Sequence, residues 1–511
     1  MKEYIVSVDA GGSSIRALLF DSCGVIKGRA QVPVKIISPE PGAIEHDPEE
    51  IWRQFYSVIN KLLTDCRVSS YEIASIGISV QRATFTLWDK NGNTCCNFIS
   101  WSDVRAAETI AGMNKNLKWK FVRLGAAIVS FFTRDTMLTA IGMLKFVTDH
   151  AISRLNWLFV TRPDIYTKAK NGELLFGTLD TWFVYKLTNG RVHATDTSNA
   201  ASTSLYNHFD LKWNSIFCNL FKIPMDILPE VKETKDDFGV TAKELFDGAE
   251  IPIGAVVGDQ MASLFGHCCF EKGDVKISQG SGSFVDINMG YKPKLSRRGL
   301  FPLVAWRIDG KTTYMLEGSV ATAGRLIDWL GQGIGLSDTP KVLNELAAEC
   351  NDSEGVVFVP TPSGIRFPFF KPTAKASIFG LSLTTHRSHV ARAVLQGISM
   401  RLVDILDGIE KDTGIKVTGI KTDGGVSRSD LLLQCIADLS NYAVERSEEH
   451  EIAATGAAYI AGMSVGIWNN FEEIVKLNRE YNFFRPKMDS AKRIKVKKRW
   501  EKALRASLNA N

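Results

Sequence analysis

The sequence predicts an α/β protein of two domains with mixed sheets, and three observations carry that prediction. The length of 511 residues exceeds what one hydrophobic core organises. A strand, a glycine–serine turn and a second strand occur twice, as YIVSVDAGGSSIRALLFD (residues 4–21) and DVKISQGSGSFVDIN (residues 274–288). After each, apolar runs of strand length alternate with helical patterns, as in α/β sheets. Two halves that each open on the same device suggest duplicated domains facing a central cleft. The expected division is residues 1–250, residues 251–485 and a basic tail, 486–511, read as a solvated surface element.

In the first half, Tyr4–Val8 and Ile15–Phe20 flank a turn too short and too glycine-rich for anything but a hairpin. Gly24–Val34 reads as a third strand. Pro48–Leu63 is patterned as a helix, with Asp47 at the N-cap, proline at the first helical position and acids in the first turn. Ala74–Val80 is a nearly continuous apolar strand, buried on both faces, with Gln81, Arg82, Ala83 and Thr84 directly after it. Residues 104–170 are helix-rich and mix aromatic with basic residues; amphipathic packing is the expectation, and the run Leu124–Phe132 has the size of a buried helix. Phe176–Leu187 returns to a clear pattern, and Asp196–Ser204 reads as a polar loop of small residues.

Near Glu250 the chain restarts. Ile253–Val257 reads as a buried strand, Gly258-Asp259-Gln260 opens the helical run Met261–Phe270, and Gly280 to Ser283 take the place of Gly11 to Ser14. Further on come the strand Thr312–Leu316, helices Thr322–Leu330 and Ala391–Ile409, the strand Gly419–Thr422 and the helix Ser429–Leu439. Asp423-Gly424-Gly425 sits at the end of that last strand.

Bulk properties narrow the function. A hydrophobic share of 45% and a charged share of 23% exclude wholesale disorder, and a net charge of +5 is too mild for a nucleic-acid protein. Nine cysteines without C-x-x-C spacing suit a reduced protein with no zinc site, and the eight histidines form no H-E-x-x-H set. No apolar run reaches the length of a membrane span, and the amino terminus enters a strand without room for a signal peptide. The cytoplasm is the expected address, and a homodimer is an assembly the sequence leaves open.

The chemistry starts from the hairpins. Adjacent glycines let backbone N–H groups converge on an anion, and hydroxyls beside them can join. Gly11, Gly12, Ser13 and Ser14 are therefore candidates to hold a phosphate, and Asp9 to hold the magnesium it brings, through water. Taken alone, the turn could equally be a polar surface hairpin. It is neither a Walker loop, since no G-K-[ST] follows, nor a dinucleotide fingerprint, since a strand comes next. Two such turns in separate domains point to phosphoryl transfer, which needs cradled phosphates, Mg²⁺ and an aligned acceptor hydroxyl. Asp259 is then the candidate base, or else the N-cap of the helix behind it. Arg82 follows a sheet strand at its carboxyl end, the edge where α/β sheets bind ligands. Gly424 and Gly425 bring backbone to a ligand or turn the chain.

The motifs VDAGGSSIR, PGAIEHDPEEIW, ISVQR, FGTLDTWFVYKLT, GDQMASLFG, QGSGSF, LEGSV, IFGL and DGGVSRSDLL resemble, in order and spacing, those of the FGGY carbohydrate kinases and, within them, the glycerol kinases. The resemblance runs from Tyr4 to Pro486. It implies two actin-like (ribonuclease H-like) domains that close on ATP-Mg²⁺ and a small polyol, passing the γ-phosphate to glycerol or a similar acceptor. It casts Asp259 as the base and Gly12, Ser13, Ser14 and Arg16 as the first phosphate set. Ser281, between Gly280 and Gly282, belongs to the second, with Gly324, Asp328, Gly424, Gly425 and Ser429 around the nucleotide. Arg82, Ala83, Trp101, Asp259, Gln260 and Phe284 form the implied polyol pocket. Four positions depart from the family pattern. Ala83 replaces a glutamate that binds glycerol hydroxyls, Gly12 a threonine, Asp328 a glutamine, and Leu138 aligns near a pocket tyrosine. These departures keep a second reading open, a non-catalytic relative acting through protein partners. A third is an ATPase of the same superfold.

Overall fold

The computed structural model describes residues 3–510 apart from 297, 321, 322, 338, 363, 372, 478 and 479. The chain forms two compact units, the first being Met1–Cys268 with Leu303–Tyr314 and Glu451–Asn478, the second the remainder. The expected break at residue 250 is corrected by strand pairing. Ile253–Gly258 runs parallel to Ile73–Val80 and completes the first unit's sheet. Unbroken apolar character, the feature that made it look like a new start, is what an inner parallel strand requires.

That first sheet has five strands in the order Ile253–Gly258, Ile73–Val80, Tyr4–Ala10, Ser14–Phe20, Ile26–Pro33. Three are antiparallel neighbours and two are added in parallel, so the sheet is mixed. Every residue of Ile73–Val80 is buried. The helix Pro48–Cys66 covers one face with Ile51, Phe55, Val58, Ile59 and Leu62. Its expected cap is present, Asp47 Oδ1 accepting from the amides of Glu49 and Glu50 at 2.9 and 3.1 Å. The helix Ile452–Ser464 covers the other face and is built from small residues so that backbones can touch. A Cβ on Gly77 would stand 2.3 Å from Ala457 O, and one on Gly456 would stand 1.9 Å from Ala262 O in the helix Asp259–Gly266. Strand alternation turns Ser7, Asp9, Arg16 and Ser79 toward this second face.

Two local expectations fail in this unit. Thr197–Ser202 is a buried helix rather than a loop, because Asp196 caps it and its polar side chains are satisfied internally. In the helix Leu117–Thr133, most of the run Leu124–Phe132 is exposed; only Trp119 and Ala126 of this helix are buried, packed with a separate core made by residues 83–228.

The second unit's own strands are Ser283–Gly290, Asp274–Gln279, Gly419–Asp423, Val444–Ser447 and Tyr481–Phe484, hydrogen-bonded in that order. The 27-residue helix Arg387–Thr413 packs against it. The helix expected to begin at Thr322, which lies outside the described residues, spans Gly324–Gln332. The basic tail is no detached surface element. Its helix Ser490–Asn509 buries Trp500, Ala503 and Leu504, and the Trp500 indole N–H donates to Asp404 at 3.2 Å. A charge-rich sequence hid an inner face of four buried residues, Ser507 being the fourth.

Candidate active site

In the first unit, the turn after Tyr4–Ala10 is closed by Gly11 N–H donating to Ser14 O at 3.0 Å. Ser13 lies exposed at its tip, whereas Ser14 is buried as the first residue of the next strand. The two hairpins are not equivalent residue for residue. Ala10 pairs with Ile15 across four residues, while Gln279 pairs with Ser283 across three. Gly280 N–H accordingly donates to Gly282 O at 2.9 Å, Ser281 takes the exposed tip and Ser283 is buried.

Asp9 stands opposite Arg16 in the strand register, and Ser79 Oγ donates to its Oδ1 at 2.8 Å. Arg16 Nη1 donates in turn to Glu451 Oε2 at 2.9 Å, a residue just before the helix Ile452–Ser464. Burial pushes the Asp9 carboxyl up to about 7; the Ser79 hydrogen bond and Arg16 oppose this, while Asp259 and Glu451 add to it. A hard, buried carboxylate beside a phosphate-sized turn fits a magnesium ion that keeps its waters and its phosphate ligands. Among the described residues no cluster of three or more His, Cys, Asp or Glu is placed to hold a metal.

Asp259 is the first residue of its helix, and Gly258 occupies the N-cap position. The half-buried carboxylate stands at the carboxyl end of a buried strand, where its Oδ1 accepts from the Gln260 amide at 2.7 Å. Its Oδ1 lies 3.3 Å from Arg82 Nε, and the Arg82 stem packs so closely on Gly258 that a Cβ there would meet its Cγ at 2.8 Å. The backbone entering Asp259 is fixed from behind. Gly258 N–H donates to Ser198 Oγ at 2.9 Å, Ser198 Oγ donates to Asp196, and Asp196 also accepts from Thr234.

Ala83 adopts a left-handed backbone, φ 60°, and its carbonyl accepts from Arg154 at 2.8 Å. Fully buried Arg154 also donates to the carbonyls of Ile99, Ser100, Thr148 and Asp149. It therefore clamps the segment holding Arg82 to the one holding Trp101, whose amide donates to Thr84 Oγ1 at 3.1 Å. Trp101 presents an exposed ring, Gln260 is half-buried beside Asp259, and Leu138 packs into the helical core. Phe284 belongs to the second unit, on the strand Ser283–Gly290.

Gln81 escaped the reading of the sequence. It is 3% exposed, and both carboxamide atoms lack a hydrogen-bond partner among the described residues. Its Oε1 lies 3.1 Å from where a Cβ on Gly12 would stand, so the glycine and the glutamine fit each other. Asp196, Ser198, Arg154 and Glu451 were missed as well. Each acts on another residue from far along the chain, and no local spacing announces that.

In the second unit the nucleotide candidates converge through backbone contacts. Gly324 N–H donates to Gly280 O at 3.0 Å, and Ala323 and Arg325 N–H donate to Ser281 O. A Cβ on Gly324 would lie 2.8 Å from Gly280 O, and one on Gly424, φ 89°, would lie 2.4 Å from Gln279 O. Ser429 caps the helix Asp430–Ser440 and its hydroxyl contacts Asn344. Asp328 is exposed one turn into the helix Gly324–Gln332, and nothing lies within 4 Å of a Cβ on Gly425.

Two mixed-sheet units, each with a glycine hairpin, one with a strand-end carboxylate and arginine, define an actin-like phosphotransferase class. Residues 4–266 match the N-terminal domain and residues 275–465 the C-terminal domain of the FGGY family of carbohydrate kinases, and the chain belongs to that family. Its relatives include "Glycerol kinase 5" of Danio rerio, 38% identical over 99% of this chain and 97% of that one. "Glycerol kinase" of Francisella philomiragia is also 38% identical, over 99% of both chains. Among solved structures, Plasmodium falciparum glycerol kinase with ADP superposes with a TM-score of 0.90 at 31% identity, covering 99% of this chain and 98% of that one. Gluconate kinase from Lactobacillus acidophilus, at TM-score 0.85 and 21% identity, shares the fold.

Proposed function

We propose that this chain transfers the γ-phosphate of ATP to a hydroxyl of glycerol, giving glycerol 3-phosphate, or of a similar small polyol. The observation that carries the reading is Asp259, its carboxylate presented by a buried strand and a helix start, braced by Ser198 and adjoining Arg82. The acceptor hydroxyl attacks the γ-phosphorus, its proton passes to the Asp259 carboxylate, and the bond to the β-phosphate oxygen breaks to release ADP. Relatives named as glycerol kinases over nearly the whole chain support the choice of acceptor.

The hydroxyls of Ser13 and Ser281 and the hairpin amides contact the phosphates, and Arg16, aimed by Glu451, balances their charge. Gly324, Gly424, Gly425, Asp328 and Ser429 surround the nucleotide. Asp9 would hold a magnesium ion, which would supply positive charge to the phosphates. Arg82, Gln260 and Trp101 hold the polyol. Ala83 offers the polyol no carboxylate, so acceptor recognition rests on Arg82 and Asp259. An ADP-release assay across glycerol and longer sugar alcohols, comparing wild type with Asp259→Ala, tests the reading. Turnover on none of them, or an unimpaired mutant, would sink it.

A further inference from the structure

The helix Leu117–Thr133 carries an apolar face on its outside. Its inner side is committed, because buried Trp119 packs against the rings of Phe146 and Phe217. Arg123 is also committed, donating to Gly142 O at 3.2 Å. The outer side carries Leu117, Phe121, Leu124, Ile128, Phe131 and Phe132, which are 70, 70, 58, 52, 81 and 78% exposed. At 100° per residue these fall within one stripe about 100° wide. Lys118 and Lys120 lie on either side of it, and Lys115 and Arg134 at its ends. A continuous apolar stripe of this length on a folded protein marks a surface that meets something.

We propose that this stripe is a docking surface for an anionic membrane, with the helix lying in the interface plane. Charge decides the occupant. Residues 115–134 contain five cations and no acid, so a second copy of the helix would meet the same lysines with nothing to neutralise them. A lipid surface with negative headgroups offers the complement: apolar side chains enter the acyl boundary while lysines reach outward to the headgroups. The spacing i, i+4, i+7, i+11, i+14 and i+15 presents these six residues to one plane. No helix among the described residues is long and apolar enough to cross a membrane, so the contact is peripheral.

Flotation of the full-length chain with phosphatidylcholine vesicles, with and without phosphatidylserine, tests this. Binding is expected only with phosphatidylserine and is expected to fall several-fold when salt shortens the screening length from about 8 Å toward about 3 Å. Phe131→Ser with Phe132→Ser is expected to abolish flotation while leaving the melting temperature and nucleotide affinity unchanged, since both rings are exposed. Lys118→Glu with Lys120→Glu is expected to abolish it too. In a Phe131→Trp chain, brominated acyl chains are expected to quench the new indole. No flotation of the wild type, or equal flotation of both double variants, overturns the proposal. So does a concentration-dependent dimer that the phenylalanine changes dissolve and vesicles do not disturb.

Discussion

Arg82 Nε stands 3.3 Å from Asp259 Oδ1, so the carboxylate proposed as the base already holds a cationic partner. This ion pair orients the carboxylate, and an incoming hydroxyl must join it. Asp259→Asn keeps the shape and removes the proton acceptor. Its kcat is expected to fall about a hundredfold to ten-thousandfold with nucleotide affinity little changed. Arg82→Ala is expected to act chiefly on the KM for the polyol. Initial rates at varied polyol, beside nucleotide binding measured by calorimetry, separate the two.

The contact between Gln81 and Gly12 revises what the missing threonine hydroxyl means. A Cβ at residue 12 would meet the Gln81 carboxamide at 3.1 Å, and threonine adds two further atoms. Gly12→Thr is therefore expected to weaken ATP binding by about tenfold, roughly 1.4 kcal/mol, rather than to restore a hydroxyl. Adding Gln81→Ala to the same chain is expected to recover much of the loss. Recovery would identify crowding as the cause; equal weakness in both chains would assign the loss to the turn itself.

Much of this was legible from the residues. Strand ends, the Asp47 cap and both hairpins rest on local rules of turn and cap chemistry, and Asp9, Arg82 and Asp259 sit at strand ends that those rules locate. What stayed hidden depends on contacts across the chain. Glu451 reaches Arg16 over 435 positions, and Arg154 binds a carbonyl 71 positions away. The one-residue difference between the hairpins is a matter of register, invisible while both read Gly-Ser. The tail misled because charge dominates its composition, although Trp500, Ala503 and Leu504 anchor it.

Asp9 sets opposing pH trends. Burial lifts its carboxyl to about 7, well above the ordinary carboxylate value near 3.9, so the folded state holds a proton the unfolded state has lost. Its contribution to stability is full below about pH 4 and is lost as pH rises through about 7. The proposed magnesium role requires the carboxylate, so affinity for Mg-nucleotide is expected to rise over that same interval with release of a proton. Asp9→Asn is expected to flatten both trends, melting higher than wild type at alkaline pH while binding Mg-nucleotide weakly throughout. Thermal melts and calorimetry in buffers of different ionisation enthalpy would show this. A wild type whose melting ignores the substitution would contradict the assignment.

Gly324 and Gly425 are both proposed to border the nucleotide, yet the structure gives them different tolerances. A methyl group on Gly324 would stand 2.8 Å from Gly280 O, the carbonyl that receives its own amide, and a rigid backbone cannot yield as a side chain does. Gly324→Ala must therefore push the second hairpin out of register with the helix Gly324–Gln332. About a tenfold loss of ATP affinity is expected, with polyol-induced quenching of Trp101 unchanged. A methyl group on Gly425 meets nothing within 4 Å, so Gly425→Ala is expected to cost little beyond what it displaces on the nucleotide itself. If the two substitutions weakened ATP equally in fluorescence titrations, the hairpin–helix contact would not be what shapes the site.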